Sequence, residues 1–385
     1  MILTDVLPFL GLVSLDTVKG ILGIAAVFTV IVGIHELGHF LAARWRGMEV
    51  EEFAVGFGKR VVAYTNRRGE VFSLRMVPLG GFVRIKGMEP QTDGSEVEVP
   101  GGFYSKGLGS RAIVLGAGPF ASILGGLAIT FLGFAAFGKP ELAPELRLAT
   151  VEAGSAAEEA GLRAGDIIFE VNGKKPDNPG VFRLAVQRSE GRTLKLGVRR
   201  GDQTLTVAVH PRLSDQVALV DDKGQPLLDE DKKPRLGVGY LLGVRIEPVT
   251  VFERVGVLES AKLATAQTAQ IIAGTAAVFT RLGELKENVG GPITIGVVSA
   301  RAAQTGVASL ILLAAIISVS LGLVNLLPIP PLDGGQLLIV AIEAARGGRR
   351  LSYQAQNAVA LTGLLFVVFL VVAVFSIDIN RWFGD

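Results

Sequence analysis

Cysteine is absent from all 385 residues, which excludes a disulfide framework and every metal site built on thiolates. Histidine is nearly absent. With only three in the chain, His35, His39 and His210, any metal site must use imidazoles sparingly. A large imbalance of charge is missing too. There are 38 Lys and Arg against 36 Asp and Glu, a formal net charge of +2, which argues against a dedicated nucleic-acid binder. The 49 glycines have no three-residue period. That excludes collagen and suits turns and close helix packing. No solenoid-type repeat is visible.

Apolar residues are plentiful: 49% of the chain, with a mean hydropathy of +0.47, yet 19% is charged. A soluble chain rarely averages that apolar, and a bare bundle of membrane spans rarely keeps that many charges. The mixture predicts membrane segments plus at least one soluble domain. Four stretches approach the ~20 residues that a bilayer core of ~30 Å requires. They run from about Ile21 to Ala43, Ala112 to Phe137, Ala308 to Leu327 and Ala358 to Ile377, and no charge interrupts the fourth. The N-terminus does not read as a cleavable signal peptide, since it lacks a basic leader and its apolar run is long and holds polar residues.

The loops set the orientation. Residues 44–111 hold eleven cations, namely Arg44, Arg46, Lys59, Arg60, Arg67, Arg68, Arg75, Arg84, Lys86, Lys106 and Arg111. The loop between spans three and four adds Arg346, Arg349 and Arg350. By the positive-inside rule both are cytoplasmic, so both termini and residues 138–307 lie outside. In the outside segment, residues 144–212 alternate in strand-like runs around helical stretches at Ala156–Ala160 and Val181–Arg188. Residues 213–240 read as a polar linker with one short strand, RLGVGY. Residues 251–286 read as a helix too weakly apolar to span, lying on the membrane surface or against the bundle.

Span one ends in His35-Glu36-Leu37-Gly38-His39. Positions i and i+4 share a helix face, so both imidazoles can hold one metal ion, with Glu36 beside it as a general base on water. Two imidazoles and a carboxylate suit zinc. Two histidines snorkelling to the interface are the bland alternative. Three polar residues in five within an apolar run are costly without a partner. The motif lies ~12 Å along the helix from Arg44, which places it under the cytoplasmic surface.

A catalytic zinc site takes three protein ligands and keeps one position open. His210 reads as an ordinary strand-end residue on the wrong side of the membrane. The third ligand is therefore expected to be a carboxylate inside the membrane. Span three ends in Asn325-Leu326-Leu327-Pro328-Ile329-Pro330-Pro331-Leu332-Asp333-Gly334-Gly335. The prolines must break the helix, and irregular backbone at membrane depth is tolerated only where it is buried in protein or lines a polar cavity. Delivering Asp333 to a metal meets that condition; an ordinary interface turn is the other reading. Four spans bring all three ligands to one depth, whereas a fifth span at 256–285 would put Asp333 on the opposite side.

These residues resemble the site-2 protease family of intramembrane zinc metalloproteases, specifically its RseP (regulator of sigma-E protease) type. The resemblance covers nearly the whole chain. It includes Met76 to Val83 in the basic loop, Gly118-Pro119 in span two and Gly291-Pro292-Ile293 before span three. It implies that His35, His39 and Asp333 bind one Zn2+, that Glu36 is the catalytic base, and that Asn325 positions the substrate or stabilises the oxyanion. A helix-packing amide is the alternative for Asn325. Ser122 stands where the family often has Asn, and its hydroxyl can still hydrogen-bond. Residues 70–85 would form a hairpin dipping into the membrane, whose edge strand pairs with an unwound substrate; a plain cytoplasmic hairpin is the alternative. Gly154 to Ala157, Gly161 to Asp166 and Val171-Asn172-Gly173 resemble the PDZ domains of bacterial envelope proteases, here single, and in this family a size filter for trimmed substrates.

The expected fold is a polytopic α-helical membrane protein with four transmembrane helices, an inserted extracytoplasmic PDZ-like α+β domain and a membrane-associated β-hairpin loop. Residues 1–137 hold the first two spans and the basic loop, 138–212 the PDZ-like domain, 213–307 a linker and amphipathic helix, and 308–385 the last two spans. The expected activity is cleavage of transmembrane segments of single-span proteins such as anti-sigma factors or signal-peptide remnants. The expected surroundings are the lipid of a bacterial inner membrane, with no nucleic acid. A non-catalytic PDZ adaptor and a metal-ion transporter are the competing readings. The transporter would need further ionisable groups within the membrane, and spans two and four offer none.

Overall fold

The computed structural model describes residues 15–88, 99–176, 178–229, 234–280 and 290–383. The chain divides into two units, 1–137 with 255–385, and 138–254. The first fourteen residues, which carry the expected outside N-terminus, lie outside the described residues.

In the first unit, helix α1 (Leu15–Trp45) ends with Arg44 in its last turn, where a cation meets the negative end of the helix dipole. Strands β1 (Val50–Thr65) and β2 (Val71–Ile85) are antiparallel and fold back on each other. Residues 52–55 pair with 71–74 on one side and with 81–84 on the other, while 60–65 pair with 71–75. The two strands thus build a four-segment sheet with 81–84 along one edge. The rings of Phe40, Phe53 and Phe72 meet at 5.5–5.9 Å between centroids and fasten this sheet to α1. Such aromatic contacts contribute beyond their buried area. Helix α2 (Leu108–Phe137) follows, with Pro119 inside it.

The second unit contains β3 (Lys139–Val151), α3 (Ala156–Glu159), β4 (Ile167–Val171), α4 (Pro179–Gln187), β5 (Leu194–Arg200), β6 (Gln203–Val209), β7 (Arg212–Ala218), β8 (Leu236–Leu241) and β9 (Val244–Glu253). Five strands form an antiparallel sheet in the order β6-β5-β4-β3-β9, and β7 and β8 pair separately. Its core is the inward face of that sheet, Leu146, Leu148, Ile168, Leu196 and Val198, closed by Phe182 and Val186 of α4. Asn178 caps α4 by accepting from the Val181 amide, with Pro179 at the first helical position, a favoured start for a helix. Residues 213–240, expected as a linker with one short strand, contain that strand as β8 and also most of its partner β7, and the unit runs to Arg254.

The first unit resumes with α5 (Val257–Thr280), α6 (Pro292–Thr305), α7 (Val307–Asn325), α8 (Asp333–Ala345) and α9 (Tyr353–Phe383). Among the described residues, four helices are long and apolar enough to cross a bilayer: α1, α2, α7 and α9. Helix α5 is not among them; it packs on α2 and α7, with Thr275 Oγ1 3.4 Å from Ser320 Oγ. It lies against the bundle, and residues 281–286 of that expected helix are outside the described residues. Small residues let α2 and α7 approach closely. A methyl group at Gly126 would lie 2.4 Å from Val319 Cγ2.

One expectation is overturned. Span two begins at Leu108 and span four runs on to Asn380, so each contains a charged residue, Arg111 and Asp378. Both are buried, and both have specific partners in the protein. Asp378 accepts from the amides of Gly291 and Thr294 (3.0 Å each) and from Thr294 Oγ1 (2.7 Å), closing the N-terminus of α6. Arg111 pairs with Glu343 of α8.

Candidate metal centre

The helical period puts His35 and His39 on one face of α1, with their Nε2 atoms 3.3 Å apart. Across from them, α7 ends at Asn325 and the proline-rich stretch turns the chain. The turn is closed by its own backbone hydrogen bonds, Ile329 to Leu327 (2.7 Å) and Leu332 to Ile329 (2.9 Å). Leu332 is extended and Asp333 is the first residue of α8. This brings Asp333 Oδ2 to 3.1 Å from His35 Nε2 and 3.3 Å from His39 Nε2.

Those three distances test the fit to a metal. Zinc bound tetrahedrally at ~2.0–2.1 Å from nitrogen and oxygen holds its donors ~3.3 Å apart. The triangle of two imidazole nitrogens and one carboxylate oxygen therefore has the size a tetrahedral ion needs, leaving the fourth corner for water or substrate. Among the described residues this is the one group of three donors close enough to hold an ion.

The far side of each imidazole is also held. His35 Nδ1 lies 2.9 Å from Ser122 Oγ, and His39 Nδ1 2.8 Å from the Val114 carbonyl. A metal held by both Nε2 atoms would leave each Nδ1 to carry the proton and donate it, which would set tautomer and ring orientation. Both acceptors belong to α2. Pro119 interrupts that helix's hydrogen-bond ladder just beyond Val114, because it has no N–H to give. Gly118 leaves the space His39 fills; a methyl group there would lie 2.1 Å from His39 Nε2. The Ser122 carbonyl in turn accepts from Ser318 Oγ of α7 at 2.8 Å.

A cavity of about 250 Å³ joins the donors to Glu36, Asn325, Phe82 and Val83. The sheet's edge segment forms one wall. The Val83 backbone amide faces the Glu36 carboxylate, and a methyl group at Gly81 would crowd Glu36 Cγ at 3.2 Å. The Phe82 ring sits beneath the guanidinium groups of Arg75 (4.8 Å) and Arg84 (5.5 Å). Asn325 Nδ2 donates to the Leu321 carbonyl of its own helix at 3.0 Å.

The structure gathers His35, Glu36, His39, Asn325 and Asp333 around this one cavity. His210 belongs to the other unit, 3.0 Å from Thr193 Oγ1. Sequence reading missed the Val114 carbonyl and the contact between Ser122 and His35. The available signal was spacing: Ser122 follows Gly118 by four and so shares its helix face.

Comparison with known proteins bears on what this geometry does. Residues 23–370 match peptidase family M50. A protein of Brucella suis named as a zinc metalloprotease is 33% identical over 356 residues, covering 89% of this chain and 90% of that one. A Clostridium perfringens protein of the same designation is 32% identical over 316 residues, covering 82% and 85%. The chloroplastic membrane metalloprotease ARASP of Arabidopsis thaliana is 30% identical over 373 residues, covering 93% and 78%. Agreement over that much of the chain decides the family: this is a multi-pass membrane zinc metalloprotease of peptidase family M50, the site-2 proteases.

Proposed function

We propose that the protein cleaves transmembrane segments of single-span membrane proteins. His35, His39 and Asp333 hold the zinc, and Glu36 is the catalytic base. The observation that carries this reading is the triangle of donors at 3.1–3.3 Å with Glu36 in the same cavity, where a helix able to cross a membrane supplies both histidines and Glu36, and the turn after another supplies Asp333. Bound zinc supplies Lewis-acid polarisation of the scissile carbonyl and a lowered water pKa. Glu36 takes a proton from the attacking water on a carboxylate oxygen and hands it to the leaving amine. The amide of Asn325, at the cavity rim, is placed to orient the substrate or stabilise the developing oxyanion.

A helical substrate hides its peptide bonds and must unwind first. The edge segment 81–84 beside Glu36 supports strand pairing with the unwound stretch. Val61, Val62, Tyr64 and Met76 are 61–66% exposed on the same sheet, which supports its association with lipid. The second unit is read as a single PDZ-like domain outside the membrane. Support comes from its antiparallel sheet with two short helices, and from a cleft of about 420 Å³ between Phe182 and Val186 of α4 and the start of β9. The loop charges support an orientation with this unit and both termini outside a bacterial inner membrane. Anti-sigma factors and signal-peptide remnants are substrates of the required kind. The transporter reading finds no support, because Arg111 and Asp378 are committed to Glu343 and to the start of α6.

The test is Glu36→Gln in the full chain with a single-span model substrate. Loss of the general base should lower cleavage by ~10²–10⁴-fold while zinc stays bound. Cleavage at the wild-type rate would overturn the assignment.

A further inference from the structure

One buried ion pair plays no part in that chemistry. Arg111 Nη2 donates to Glu343 Oε2, and the two side chains are 2% and 1% exposed. Arg111 lies one turn before Val114 on α2, the residue whose carbonyl holds His39 Nδ1. Glu343 lies on α8, the helix that begins with Asp333. The pair therefore joins the helix that orients the histidines to the helix that carries the carboxylate.

As a source of stability it is a poor device. Ions buried in a protein cost several kcal/mol each, and apolar replacements of such pairs are often neutral or better. Here the cost is compounded, because Arg111 Nε and Glu343 Oε1 are buried with no hydrogen-bond partner among the described residues. What an ion pair offers and an apolar contact does not is register. A slip of α8 along α2 by one turn, ~5.4 Å, would leave two opposite charges buried and unpaired. The surroundings of the pair narrow its place further. The Arg111 guanidinium lies over the rings of Phe103 (5.7 Å) and Tyr104 (5.3 Å). Arg350, in the loop after α8, donates to the Tyr104 carbonyl. Both ends of the connection from α8 to α9 are thus referred to the start of α2.

We propose that Arg111 and Glu343 are positioning residues for the metal centre: their ion pair locks α8 in register on α2 so that Asp333 meets His35 and His39. The proposal rests on the reading of those three residues as the zinc ligands.

The test compares full-length wild type, Glu343→Gln and the double variant Arg111→Met with Glu343→Leu, all in detergent. Zinc affinity is measured by chelator competition, coordination by the absorption of bound Co2+, and apo-protein stability by thermal unfolding. The double variant removes both charges together, so it should fold with an apo midpoint close to wild type. Its zinc affinity should still fall by ~10–100-fold, the range seen when groups that orient ligands are lost, with a changed Co2+ spectrum. Glu343→Gln should weaken zinc in the same direction. A double variant that binds zinc with wild-type affinity and an unchanged Co2+ spectrum would overturn the proposal. So would a double variant that fails to fold, since the pair would then serve overall stability. His39→Ala is the control for the underlying site. If it keeps wild-type zinc affinity, the ligand assignment itself is wrong, and the register lock is not what failed.

Discussion

His35 Nδ1 lies 2.9 Å from the hydroxyl oxygen of Ser122, a fully buried residue of α2. The contact fixes which imidazole nitrogen faces the cavity. Without it, the ring can rotate, and Nδ1–H loses its acceptor in a buried place. Ser122→Ala is therefore expected to weaken zinc binding by ~10–100-fold with His35, His39 and Asp333 unchanged. Chelator competition measures it; unchanged affinity would show that Ser122 only fills space.

Gly118→Ala sets two effects against each other. Alanine is the better helix former by ~1 kcal/mol, so α2 alone would gain. The new methyl group would sit 2.1 Å from His39 Nε2, inside any contact distance, and the imidazole would have to leave the donor triangle. The steric effect should win at the site. Metal analysis is expected to find well under one zinc per chain, while circular dichroism stays that of the wild type. Full zinc occupancy would mean that α2 shifts to make room.

Glu52 gives the sheet beside the cavity a pH dependence. It is buried at the centre of the sheet and accepts from Arg60 Nη2 (2.7 Å), Ser73 Oγ (2.6 Å) and Arg75 Nη2 (2.8 Å). Burial alone would raise its pKa; these hydrogen bonds and charges outweigh burial and hold it at about 2, below the ordinary 4.5. A carboxylate with a depressed folded-state pKa stabilises fully above the unfolded value and loses that contribution as pH falls through the folded one. Amide protection factors in the sheet, taken against the intrinsic exchange rate at each pH, should thus be high at pH 6 and fall between about pH 4.5 and 2. Glu52→Gln should show lower protection at pH 6 and little further loss of protection on acidification. Because Arg75 also covers Phe82, the same variant should loosen one wall of the cavity.

Asp378 makes a prediction confined to stability. It closes the first turn of α6 through two backbone amides and one hydroxyl. Asp378→Ala would take the acceptor from the buried Gly291 amide and remove two contacts to Thr294. Asp378→Asn keeps one acceptor oxygen. Thermal unfolding in detergent should rank the midpoints wild type above Asn above Ala, with zinc affinity unchanged in both variants. Equal midpoints would mean that another group caps α6.

The features legible in the amino-acid sequence are the local ones. The four apolar runs announce themselves through composition, and His35, Glu36 and His39 fall within one helical turn and a half. Asp333 can be inferred because prolines at membrane depth demand a reason. The rest depends on contacts distant in sequence. Arg111 reads as one more loop cation until Glu343, 232 residues away, is seen against it. Asp378 reads as lying beyond a span until Gly291, 87 residues away, is seen donating to it. β1 escapes sequence reading because its inward positions, Val50, Glu52, Ala54 and Gly56, include a charge and a glycine, so burial alternates along the strand without an alternating apolar pattern to announce it. Within residues 213–240 the strand RLGVGY is legible and becomes β8, whereas its partner β7 is too polar to announce itself and pairs through its backbone.

Asn325 decides between two readings of the cavity rim. Its Nδ2 donates to the Leu321 carbonyl at 3.0 Å, as a packing amide within a membrane helix would. That carbonyl lies in the last turn of α7 and already belongs to the helix, so removing the side-chain contact should cost the fold little. The cavity lining shared with Glu36 and Asp333 predicts a larger effect on the chemistry. A side-chain amide that stabilises a developing oxyanion typically contributes ~10²–10³ in turnover. Asn325→Leu fills similar volume without a polar group. If Asn325 acts on the substrate, kcat should fall by about that factor while zinc affinity and thermal midpoint hold. If it only packs, kcat should stay within a few-fold of wild type, because leucine satisfies an apolar helix face at least as well as asparagine does.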